Sequence, residues 1–113
     1  MSTDKELLEL AAKAVGIDGI YTEYVCDGET RGVIFNKLVP WNPLDDDGDA
    51  LRLAVKLLIE INHNHFQKTV DAYYSPDFSQ HTSKLTEAYG NDPYAATRRA
   101  IVKAAAEIGR GIK

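Results

Sequence analysis

Between Ala50 and Ile61 only Arg52, Lys56 and Glu60 are polar, and they recur at every fourth position. On a helix that spacing makes one narrow stripe. Ala50, Leu51, Leu53, Ala54, Val55, Leu57, Leu58, Ile59 and Ile61 occupy almost all the remaining surface. A helix apolar over most of its circumference must be covered on most sides. The pattern predicts a helix from about Asp47 to Ile61 that forms the central helix of the core. It is also far too short and too often interrupted by charge to span a membrane.

The rest of the chain must supply that cover. Thr3-Asp4-Lys5-Glu6 has the spacing of a capping box, with Thr3 and Glu6 as the structural caps. Leu7, Leu8, Leu10, Ala11, Ala14 and Val15 follow at helical steps, and Gly16 is placed to end the helix in a left-handed turn. Ile20 to Cys26 and Arg31 to Asn36 are β-prone runs around Asp27-Gly28, a hairpin signal. Pro40, Trp41 and Pro43 should stop the second strand and force an extended connection. Asn62-His63-Asn64-His65 reads as a polar break at the helix exit, Phe66 to Ser75 as a third strand, and Pro76 to Gln80 as a loop. Thr82 to Tyr89 fits a fourth strand better than a short helix. Gly90-Asn91-Asp92-Pro93 then starts a last helix, with Asp92 as cap and Pro93 at the first helical position. That helix should run to about Ile108, with Thr97, Ile101, Ala104, Ala105 and Ile108 facing inward and Gly109 and Gly111 ending it. Its alanines imply a close approach to a neighbour. The expected fold is a single α+β domain over residues 1-113. An antiparallel sheet of three to four strands packs with three helices, in the order α-β-β-α-β-(β)-α, as an α/β sandwich.

Charge and cysteine content narrow the function classes. Seventeen acidic residues against 13 basic ones leave a net charge of -4, which argues against a nucleic-acid binder. Cys26 is the only cysteine, so no intramolecular disulfide can form, in keeping with a reducing cytosol. The first residues are charged and carry no apolar signal core. A cytoplasmic protein without a membrane partner is expected.

Few residues suggest chemistry. The run Asp45 to Asp49 holds four carboxylates and Gly48. Aligned on an EF-hand loop by that glycine, it has Pro43 at the first ligand position and Ala54 at the last, and both ends fail. Asp45, Asp47 and Asp49 remain weak metal candidates. Helix-start chemistry suits the run better, with Asp46 or Asp47 accepting a backbone amide. His63 and His65 form an H-x-H pair, a second weak metal candidate, with His81 elsewhere. Cys26 has no neighbouring cation to activate it and reads as a structural thiol. Arg98, Arg99 and Lys103, with Arg110, put a basic stripe on the last helix that would suit an acidic partner or phosphate. Trp41 reads as a lid over the core, or as a partner contact. Six tyrosines are many amphipathic aromatics for so short a chain, and such residues favour protein interfaces. No phosphate loop, catalytic triad or paired catalytic acids can be assembled, so no cofactor is expected and the reading leans away from an enzyme.

Three blocks carry a family likeness: "LLELAAKAVG", "WNPLDDDGDALRLAVKL" and "NDPYAATRRAIVKAAAEIGR". Together they resemble small phage and prophage proteins of unknown function, the phage ABA-sandwich domain family. The resemblance implies a phage or prophage gene product, an α/β sandwich and action in the bacterial cytoplasm. It implies no reaction and no catalytic residue. The expected function is therefore a non-enzymatic accessory protein that binds a host or phage protein, with Trp41, Arg98, Arg99 and Lys103 as candidate contacts. A nucleic-acid-associated regulator using the basic stripe is the alternative, and a metal-assisted enzyme a more distant one. Homodimerisation through a strand edge or the alanine face is left open.

Overall fold

The computed structural model describes residues 3–36, 39–76 and 82–112. The elements are α1 (Asp4–Val15), β1 (Ile20–Cys26), β2 (Glu29–Asn36), β3 (Val39–Trp41), α2 (Asp47–Leu57), β4 (Glu60–Asn64), β5 (Thr69–Tyr74), β6 (Ser83–Ala88) and α3 (Pro93–Arg110). This is an α+β fold, and every strand pairing is antiparallel. The strands divide into two three-stranded sheets, β1-β2-β3 and β4-β5-β6, where the sequence suggested one.

Local signals explain most boundaries. The Thr3 hydroxyl accepts the Glu6 amide at 3.2 Å, the first bond of the capping box, and donates to the Glu6 carboxylate at 3.4 Å. Gly16 ends α1 with φ 75, and Ile17 N–H reaches the Ala12 carbonyl at 2.9 Å. Asp27 and Gly28 both have positive φ, 52 and 79, as a two-residue hairpin turn requires. Asp92 accepts the amides of Tyr94 and Ala95 and caps α3.

Several boundaries differ from expectation. The segment at Pro40 does not merely connect: Val39–Trp41 adds to β2 as an edge strand, where a residue without an amide proton is tolerated. Helix α2 stops at Leu57, four residues before the predicted end. Leu58 turns left-handed at φ 56, and Ile59 N–H bonds back to the Ala54 carbonyl at 2.9 Å. Glu60 to Asn64 then run as a strand, so His63 sits on β4 rather than at a helix exit. Glu60 follows Lys56 at helical spacing, which hid the alternation of Ile59, Ile61 and His63. The third predicted strand starts later, because the Asn64 side chain accepts the amides of Phe66 and Gln67 and folds them into a turn. Residues 77–80 of the predicted loop lie outside the described residues.

The central helix is α3, not α2. Ala100, Val102, Ala104, Ala105 and Ala106 are fully buried and Ile108 nearly so, on more than one face of the helix. The helix packs most extensively on α1, then on β5, β6 and α2. Gly109 lies inside α3 rather than ending it. A Cβ there would run into the Leu10 backbone carbonyl, so the glycine sets how closely α1 and α3 approach. A smaller cluster of Leu8, Ala12 and Ile34 lies under the first sheet, and Trp41 packs against both clusters. No helix among the described residues is long and apolar enough to cross a membrane.

Candidate functional site

Helix α2 has two apolar faces and only one is covered. Ala50, Leu53, Ala54 and Leu57 are buried. Leu51 and Val55 are 64% and 65% exposed and lie four apart on one stripe of the helix, and Leu58, the left-handed residue just past its end, is 81% exposed and lines the same groove. Because the chain reverses at Leu58, β4 comes back alongside this stripe. Ile61 pairs with Ala72 and His63 with Val70. Both partners on β5 are fully buried beneath α3, so Ile61 and His63 share the face of the sheet that looks toward the helices. The first turns of α3 add Tyr94, 72% exposed, together with Thr97, Arg98 and Ile101.

These elements enclose a groove of about 1000 Å³ between α2, β4 and the start of α3. Two polar arrangements stiffen its walls. Arg98 donates to Asp47 at 2.6 Å and to the Leu44 carbonyl at 2.8 Å, locking the start of α2 to α3. His63 Nδ1 and the Tyr89 hydroxyl lie 2.5 Å apart, joining β4 to the residue after β6. The lining is otherwise dominated by Ala, Leu, Val, Ile and Pro side chains. Such a surface can hold apolar side chains of a partner, and His63 with Tyr89 is the one contact between a base and a hydroxyl that its described lining shows. The phenols of Tyr21 and Tyr74 are pushed above their ordinary value, first by burial and then by Glu23 and Glu107 respectively, and neither lines the groove.

The predicted site residues fare differently. Arg98 does reach the groove, but as an internal clamp whose side chain is only 17% exposed. Arg99 lies 3.1 Å from Asp4 and 3.7 Å from Glu87, and Lys103 lies 2.6 Å from Glu87. The basic stripe thus ties α3 to the start of α1 and to β6, and these three cations face carboxylates of the same chain. Trp41 is half-buried between the two clusters, the position of a lid.

The acidic run also disperses. Asp45 accepts from Asn42 Nδ2 at 3.2 Å, and Asp46, not Asp47, caps α2 by accepting the Asp49 amide at 2.7 Å. Asp47 goes to Arg98, while Asp49 takes the Asn42 amide at 2.9 Å and Arg52 at 2.7 Å. Of the two candidates Asp46 is the cap, because Asp47 already has helical backbone and Asp46 is the extended residue before it. Among the described residues no group of three or more His, Cys, Asp or Glu is placed to hold a metal ion. His65 packs edge-on against Phe66. His81 and the side chain of Cys26 lie outside the described residues.

Two features escaped the sequence reading. Leu51, Val55 and Leu58 looked like core, because periodicity shows that a face is apolar and not whether anything covers it. Asn42 organises the approach to α2, accepting the Leu44 amide at 3.0 Å and donating to the Gly32 carbonyl at 2.6 Å. The Asn42-Pro43 dipeptide, a common turn initiator, was its available signal. No family model, curated protein or solved structure matches the chain.

Proposed function

We propose that this chain is a small phage or prophage accessory protein of the bacterial cytoplasm that works by docking a protein in the α2–β4–α3 groove, without chemistry of its own. The phage origin rests on the resemblance of the three sequence blocks. The docking reading rests on one observation: three aliphatic side chains, Leu51 and Val55 on α2 and Leu58 just past its end, stand in solvent beside an apolar groove. Fully burying a side chain of this kind is worth about 1.5–3 kcal/mol. Exposed patches of contiguous apolar surface on small soluble proteins mark interaction sites more often than they mark nothing.

The test compares the tagged wild-type chain with the L51D/L58D variant in lysates of infected or lysogenic cells. Circular dichroism and melting first establish that the variant is folded. The account expects a specific protein recovered by the wild type and lost with the variant. A partner retained in full by the folded variant would rule out the groove.

A further inference from the structure

We infer that the protein this groove takes is a second copy of the same chain, joined edge to edge through β4; the inference rests on the docking reading above. β4 is an edge strand, paired with β5 on one side and with no described strand on the other. It carries no proline and no lysine, two residues that ordinarily protect such edges. It also borders the groove, so a strand added to it would come to lie beneath the exposed stripe of α2.

The sequence of β4 suits pairing with itself. A two-fold axis through Asn62 sets Asn62 against Asn62 of the second copy, Ile61 against His63, and Glu60 against Asn64. No like charges stand opposite one another, a juxtaposition that destabilises strand pairs. The other edges are poorer. The same operation on β1 centres on Glu23 and opposes two carboxylates. β3 has three residues and contains Pro40. On β6, Glu87 is already held by Arg99 and Lys103, and no large exposed apolar residue lies on that strand. The alanine face is spent inside the molecule, against α1.

Joined this way, the β4-β5-β6 sheets of the two copies become one sheet of six strands, and Leu51, Val55 and Leu58 of both copies meet above the seam. A stable interface needs about 800 Å² per partner. Leu51, Val55, Leu58 and Tyr94 are each 64% to 81% exposed and supply the apolar centre of that area. The strand edge and the half-buried rim at Ile61 and Tyr89 supply the remainder. Each copy has a net charge of -4, so the association strengthens as salt screens the repulsion.

Sedimentation of the full chain over a concentration series tests this. The wild type should weigh twice 12.5 kDa at high concentration. N62D and N62K, both at an exposed position, should each raise the dimer dissociation constant at least tenfold, and an equimolar mixture of the two should restore association. A wild type that stays monomeric up to its solubility limit overturns the inference. So does a dimer that both N62D and N62K leave unchanged. The docking reading is judged separately: a monomer that captures a partner lost with L51D/L58D keeps that reading and removes self-association, while a monomer that captures none removes both.

Discussion

Helices α2 and α3 have similar apolar content over their inner positions, yet the fold treats them oppositely. α3 is enclosed by α1, α2 and the second sheet, and its alanines and Gly109 let those neighbours come close. α2 touches chiefly α3 and leaves Leu51, Val55 and Leu58 in water. The difference follows from side-chain size. Small residues permit contact on several faces at once, whereas the larger Leu and Val of α2 can be satisfied on one side and left projecting on the other. Apolar circumference measures how much surface wants cover, and small-residue content indicates where the chain itself provides it.

That contrast can be broken by substitution. The largest effect should come from the enclosed helix: Ile108→Ala removes a nearly fully buried side chain and should cost about 2–5 kcal/mol in chemical denaturation. Gly109→Ala should cost about 1–3 kcal/mol, because the atom it meets is backbone and cannot swing aside. On the open helix the sign should reverse. Leu58→Gly relieves a left-handed residue worth about 1–2 kcal/mol and should raise the melting temperature slightly, while removing one wall of the groove and weakening association. A Leu58→Gly chain that melts well below the wild type would show that Leu58 is core after all.

How much of this was legible in the sequence differs by region. Starts and turns were plain, because their signals are local: Thr3 with Glu6, Asp27-Gly28, and Asp92 before Pro93 each act on amides within a few residues. The end of α2 was not, since Glu60 continues the four-residue spacing of Arg52 and Lys56 while belonging to a strand. The partners of the basic stripe were hidden for a different reason. Asp4 and Glu87 lie far from Arg99 in the chain and meet it only after folding. The groove was illegible for the same reason, because it is made by three separate elements and defined by what fails to cover α2.

The central claim is that the α2 stripe serves association and contributes little to folding. Its most direct test is the chemical denaturation of L51D/L58D at a concentration where the wild type is monomeric, set beside its sedimentation at high concentration. The account predicts a folding stability within about 0.5 kcal/mol of the wild type, as for ordinary surface changes, together with loss of association. A drop of several kcal/mol, of the size expected for Ile108→Ala, would place the stripe in the core and contradict the claim.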